Sequence, residues 1–194
     1  MKEDILEQLV DDYLQSEGYF TKKNIKFLPD KSHPDFETLK DSNHSDIDVI
    51  GYNPNLQGAN QVWAVSCKSW QGGFNPKSII KSIETGKKFS GRESWKAFRE
   101  LVQPKWSHAF IAEVRKCTGA ESFTYVTAVT NLIGDRTVWE SNTNFIQSLE
   151  GNPIKLVTLQ EMVDAILKNL KTTLASSDLG RTLQLLKVSH CLKV

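Results

Sequence analysis

The 194-residue chain is most constrained between Ser45 and Trp70. Two β-rich runs, "DIDVIGY" and "QVWAVSCKSW", follow each other there across a segment holding Asn, Pro and Gly. Branched and aromatic residues favour strands and the connection favours a hairpin, so the spacing predicts two antiparallel neighbours. Alternation along a strand then places Asp46, Asp48 and Ile50 on one face and Ile47 and Val49 on the other. In the second run Ser66 and Lys68 share a face, opposite Val65 and Cys67. Charges inside such runs cost solvation unless something answers them. Paired, the strands bring Asp48 and Lys68 together at one edge of a sheet.

Around this pair the chain alternates helix and strand. Residues 3–16 carry Leu6, Leu9, Val10, Tyr13 and Leu14 at helical spacing, with Gly18 as a stop. "YFTKKNIKFL" reads as a strand and "KSHPDFETLKDSNH" as a polar loop. Pro76 suits the first turn of a helix through "KSIIKSIETGKKF". "ESWKAFRELV" follows as a second helix stopped by Pro104, then "HAFIAEVRK" and "FTYVTAVTNLI" as strands. "TNFIQSLE" is a short helix, "IKLVTL" a last strand, and "LQEMVDAILKNL" and "SDLGRTLQLLKV" closing helices, the last capped by Ser176 or Ser177. The expected architecture is α/β: a central mixed sheet flanked by helices, with one domain over 1–158 and a C-terminal helical extension over 159–194. Leu179, Leu183, Leu185 and Leu186 form an apolar stripe on that extension, suited to the core or to a second copy in a homodimer.

Several function classes drop out. Net charge is +1, so any surface for a polyanion must be local. Three cysteines without a CxxC argue against a disulfide framework and for a cytoplasmic location. The acidic, amphipathic start does not suit a signal peptide, and no apolar run approaches the ~18 residues of a membrane span. His33, His44, His108 and His190 form no HxxxH pair, and neither GxSxG, a Walker loop nor GxGxxG is present. Cys67 faces away from Ser66 and Lys68 in the strand scheme, which disfavours a thiol nucleophile.

A carboxylate beside an ammonium fits one chemistry well. The carboxylate holds a hard divalent cation such as Mg²⁺, and the ammonium orients or deprotonates water or neutralises charge on a phosphate. That combination suits in-line phosphodiester hydrolysis. The segment resembles the PD-(D/E)xK nucleases, which include restriction endonucleases, archaeal Holliday-junction resolvases and Mrr-like enzymes. Asp48 stands for the first acid and Ser66-Cys67-Lys68 for the acid-x-lysine triplet, and the αβββαβ order matches the family core. Glu7, in Glu7-x-x-Val10-x-x-x-Leu14-x-x-x-Gly18-Tyr19, resembles the glutamate of the family's opening helix. The likeness covers roughly residues 3–131. It implies a Mg²⁺-dependent endonuclease (Mn²⁺ substituting) acting on duplex or branched DNA, with no membrane partner.

Ser66 departs from the pattern, because a hydroxyl is a poor substitute for a carboxylate at a dication. Some restriction enzymes of this family carry serine there and draw the acid from the following helix. Glu84, at the margin of the Ile79-Ile80-Ile83 face, is placed for that role. The expected metal ligands are then Asp48, Glu84 and the Cys67 carbonyl, with Lys68 at the attacking water and Glu7 orienting water. Gln71 resembles a glutamine that related nucleases set beside the lysine, and equally suits the turn before Gly72-Gly73. Asp46 is an alternative first acid, and Glu84 is alternatively a surface partner of Lys81, Lys87 or Lys88. Lys77, Lys81, Lys87, Lys88, Arg92 and Lys96, interleaved with Phe89 and Trp95, form a local basic concentration suited to a phosphate backbone. Trp70 is expected to be buried rather than free to stack on a base. The rival reading is a non-catalytic nucleic-acid-binding module on the same fold; a third is an unrelated α/β domain in which Asp48 and Lys68 lie far apart.

Overall fold

The computed structural model of the chain describes residues 4–89, 92–170, 175 and 177–191. A five-stranded sheet runs through the molecule in the order β1 (Phe20–Phe27), β2 (Ser45–Tyr52), β3 (Val62–Lys68), β6 (Thr124–Val129), β7 (Ile154–Thr158). A two-stranded ribbon, β4 (Lys88–Phe89) with β5 (Arg92–Glu93), lies outside it. The first three strands form an antiparallel meander, and β3, β6 and β7 are mutually parallel. The sheet is therefore mixed and open, with helices against it, as the sequence leads one to expect.

One layer is built by α1 (Ile5–Ser16), α8 (Leu159–Asn169) and α9 (Asp178–Val188). Leu6, Leu9, Val10 and Leu14 of α1 meet Val49, Trp63, Val65 and Val126 of the strands and Met162, Ile166 and Leu167 of α8. Gly51 permits this approach: a Cβ there would stand 3.1 Å from the Leu14 and Tyr19 side chains. Asp4 caps α1, and Thr158 with Glu161 forms a capping box on α8. Helix α9 is capped by Ser177 and seats Leu183 in this layer, whereas Leu185 is exposed. Ser176, the other expected cap, lies outside the described residues.

The opposite layer holds α2 (Thr38–Asp41), α3 (Pro76–Glu84), α4 (Arg99–Val102), α5 (Pro104–Thr118), α6 (Thr137–Glu140) and α7 (Thr143–Ser148). Its centre is aromatic: Phe74, Phe98, Trp106, Phe110, Phe123, Tyr125 and Trp139 are buried against Ile25, Phe27, Ile47 and Ile50. Pro76 begins α3 behind an Asn75 cap, as its position suggests.

Three expectations are corrected here. "HAFIAEVRK" is not a strand but the body of α5: Trp106, Phe110, Ile111 and Val114 bury one face at helical period, and Pro104 both follows the end of the preceding helix, as expected, and starts this one. A short apolar run fits either period locally, and the long-range packing on Phe27 and Tyr125 selects the helix. "ESWKAFRELV" divides into the end of β5, a 3₁₀ turn over Ser94–Phe98 and α4. The polar loop before β2 likewise contains α2. Its Asp41 is 2% exposed and receives hydrogen bonds from the Lys105 ammonium (2.6 Å), the Glu37 amide (2.8 Å) and the Trp106 indole (3.2 Å). Burial alone would raise the Asp41 pKa, but these donors outweigh it and hold the carboxyl below its usual range.

The simple alternation expected of β2 fails in an informative way. Val49 belongs to the α1 layer, whereas both Ile47 and Ile50 belong to the aromatic layer. The strand thus changes sides between Ile47 and Val49, at Asp48. Its neighbour β1 does the same: Thr21 and Lys23 bond Asp11 of α1, while Ile25 and Phe27 pack in the aromatic layer. Asn24, between them, takes φ +55, a left-handed conformation that asparagine tolerates better than most residues.

Candidate active site

Asp48 sits where β2 and β3 part. Their ladder runs from Tyr52 opposite Val62 to Val49 opposite Val65. One residue further, the Asp48 carboxylate accepts a 2.6 Å hydrogen bond from the Cys67 amide. The bond lies just beyond the last backbone pair of the ladder, at the residue where the strand changes sides. On the neighbouring strand, Ser66 and Lys68 point into the same space, and the Lys68 ammonium donates to the Ser66 hydroxyl at 2.8 Å. Lys68 also lies over the Phe98 ring, 5.1 Å from its centroid, on the aromatic wall. It is the last residue of β3, and β3 and β6 are parallel, so the site opens at the carboxyl ends of parallel strands, where open α/β sheets commonly bind ligands.

These groups line a polar cleft of about 300 Å³ together with His44, Asp46, Lys96 and Glu100. Glu100, from the first turn of α4, is a residue the sequence reading missed. It is 5% exposed and accepts a 2.6 Å hydrogen bond from the Tyr125 hydroxyl on β6. It lies inside a stretch that reads as an ordinary amphipathic helix, and no local signal separates it from a surface glutamate. A signal existed only in combination: a strand tyrosine facing inward needs a buried acceptor.

Burial pushes the Asp48 carboxyl up. The Lys68 ammonium and the Cys67 amide pull it down, Glu100 and Asp46 add to the rise, and the balance remains upward. Tyr125 is raised well above its ordinary value by burial and by Glu100, although the Ser66 hydroxyl acts on it in the opposite sense. Ser66 is thus enclosed by Lys68, Tyr125 and the acids, in a space where another carboxylate would meet two like charges. Burial and Asp48 also raise the Cys67 thiol well above its ordinary value, which disfavours a thiolate nucleophile.

The other expected residues fall elsewhere. Glu84 is exposed at the last turn of α3 and does not line the cleft; the helix-borne acid on Asp48's cleft is Glu100. Gln71 is exposed in the turn after β3 and also lies off the cleft. Glu7 is half-buried on the first turn of α1, in the layer on which Cys67 packs, and acts on the Cys67 thiol there rather than lining the cleft. Asp46 lines the cleft but is paired with Lys26. Lys77, Lys81, Lys87, Lys88 and Lys96 are exposed, while the side chains of Phe89 and Arg92 lie outside what is described. Trp70 is 38% exposed rather than buried.

Among the described residues no group of three or more His, Cys, Asp and Glu stands ready to hold a metal. Asp48, Glu100 and Asp46 nevertheless line the same cleft, and Glu100 and Asp46 add to the rise that burial imposes on the Asp48 carboxyl. Mg²⁺ characteristically uses one or two carboxylates and completes its shell with water and substrate phosphate. Asp48 and Glu100 fit that requirement in kind. No described helix is long and apolar enough to cross a membrane. Compared with models of known protein families, with curated proteins and with solved structures, the chain gives no match.

Proposed function

We propose that the chain is a divalent-metal-dependent endonuclease that hydrolyses DNA phosphodiester bonds, on a restriction-endonuclease-like version of its α/β fold. The observation that carries this reading is the meeting of Asp48, Lys68 and Glu100 in one polar cleft at the carboxyl end of β3. Asp48 and Glu100 would hold Mg²⁺, or Mn²⁺ in its place, with the Cys67 carbonyl as a further candidate oxygen. The ion would supply Lewis-acid stabilisation of charge on the scissile phosphate.

The protein's own groups have distinct parts. The Cys67 amide fixes the Asp48 carboxylate in the gap between two strands, so its orientation is set before any substrate arrives. Tyr125 does the same for Glu100 from β6. Lys68, held between the Ser66 hydroxyl and the Phe98 face, orients the attacking water and offsets negative charge on the phosphate. Ser66 leaves room for an acid arriving from α4 and gives the ammonium a neutral acceptor. Lys96 at the cleft's rim and the exposed lysines of α3 and β4 supply a phosphate-tracking surface whose binding falls with salt.

The test is cleavage of plasmid and branched DNA with Mg²⁺ or Mn²⁺, with and without EDTA, by the wild type, Lys68→Ala, Glu100→Gln and Glu84→Gln. The proposal expects loss of activity in EDTA, Lys68→Ala and Glu100→Gln, with Glu84→Gln close to wild type. Loss in Glu84→Gln with Glu100→Gln active would return the ligand to α3. The lack of a three-ligand group among the described residues favours one alternative, a non-catalytic nucleic-acid-binding module. Salt-sensitive binding indifferent to EDTA, with no cutting of any substrate, would establish that alternative and refute the nuclease.

A further inference from the structure

Beside the cleft lies a second, larger cavity of about 960 Å³, and Lys96 and Ala97 line both. Its wall is Trp70, two residues beyond Lys68. One side of the indole stacks on Phe74 (5.8 Å between centroids, 23° between planes), and Phe98 meets it edge-on at 5.9 Å. Its backbone is held as firmly: the Trp70 carbonyl accepts from the Thr130 hydroxyl at 2.6 Å and from the Gly73 amide at 3.1 Å. Gly73 closes that turn at φ +79, where a Cβ would stand 2.9 Å from Ile133. A large aromatic fixed in place yet 38% exposed is a prepared platform, not a core residue left short of cover.

We propose, building on the nuclease reading above, that this cavity is a base-stacking subsite, and that the substrate carries an unpaired nucleotide next to the scissile phosphate. Two observations choose a nucleobase over other occupants. First, the cavity adjoins the cleft across Lys96 and Ala97, and Phe98 meets a group of each: Lys68 lies 5.1 Å and Trp70 5.9 Å from that ring. The ammonium and the indole are therefore within about 11 Å, close enough for a base one or two nucleotides from the phosphate to reach the platform. Second, the wall offers an exposed indole that a flat aromatic ring can cover, and its charged residues Glu93, Lys96 and Arg99 leave it weakly positive, which suits a nucleotide's base and phosphate together. A base inside a duplex has both faces covered by its neighbours, so the platform discriminates for flapped, branched or single-stranded ends.

The experiment compares three labelled probes in Ca²⁺ and in EDTA: a blunt duplex, the same duplex with a thymidine flap, and the flap with abasic nucleotides. Wild type is set against Trp70→Leu, which keeps apolar bulk over Phe74, and Trp70→Phe, which keeps a π face; thermal melts confirm that each is folded. Expected are about tenfold tighter binding of the flap than of the blunt or abasic probe, loss of that advantage in Trp70→Leu, and its retention in Trp70→Phe. Blunt-duplex affinity and its salt slope stay the same in all three proteins. Equal binding of intact and abasic flaps, or a uniform loss on all probes in Trp70→Leu, overturns the subsite while leaving the nuclease intact. Absence of binding and of cutting with every probe overturns both.

Discussion

Replacing Tyr125 by Phe removes one oxygen and tests how the core builds the site. The Tyr125 side chain is fully buried, Glu100 is 5% exposed, and their hydrogen bond is 2.6 Å long. The variant keeps the ring's packing on Phe110, so little cavity term arises. What remains is a buried carboxylate deprived of a donor, a loss of about 2 kcal/mol. For a chain of this length that lowers Tm by roughly 4–8 °C. The double variant Tyr125→Phe/Glu100→Leu removes both partners, and should destabilise less than the two single variants together by at least about 1 kcal/mol. Denaturant unfolding of the four proteins gives the cycle, and cleavage assays on the same samples give the catalytic side: Tyr125→Phe should cut slowly because Glu100 is no longer aimed. Tyrosinate absorbance should add a fourth observable, since Tyr125 stays un-ionised in the native protein well beyond the pH at which an exposed tyrosine titrates. Additivity within about 0.5 kcal/mol, with full activity in Tyr125→Phe, would refute the coupling.

Other consequences can be checked in parallel. Asp48 has a raised folded pKa, so its ionisation costs stability that accumulates as pH rises from the ordinary carboxylate range to that raised value. Asp48→Asn should therefore be inactive yet more stable than wild type by about 1 kcal/mol at neutral pH, with the gain vanishing in acid. For Asp41 the sign is opposite: its depressed carboxyl contributes stability above the usual carboxylate range that is lost as pH falls through the folded pKa. Lys105→Met, which strands that carboxylate, should cost about 3–5 kcal/mol near neutrality and much less in acid, as pH-dependent melts would show. Gly73→Ala should cost at least about 1 kcal/mol, because it combines a left-handed backbone with the Ile133 contact, and should blunt the flap preference along with stability.

Much of the scaffold is legible in the residues because local signals agree there. The β2–β3 hairpin, the Asn75-Pro76 helix start and the α1 face all combine pattern with the right end residues. The errors fall where distant packing decides. The short apolar run of α5 fits two periods, and its burial against Phe27 resolves them. Asp48 and Lys68 could be paired from strand spacing alone, but the second acid could not. Glu84 has the better sequence position, whereas Glu100 has Tyr125, a partner 25 residues away in sequence. The face change at Asp48 escapes simple alternation for a related reason. It coincides with a left-handed Asn24 on β1 and an Asp48 side chain bonded to a backbone amide of β3, and a period of two assumes regular backbone pairing throughout.

That last bond makes Cys67 a built-in spectroscopic probe. Its amide proton is donated to the Asp48 carboxylate, so its resonance frequency responds to the charge on those oxygens. In a ¹⁵N-resolved spectrum the Cys67 crosspeak should move when Asp48 is protonated, move again when a cation draws charge from it, and stand still when Mg²⁺ is added to Asp48→Asn. Ligand titrations can thus be read at the centre of the cleft without an added reporter group, a substrate or turnover.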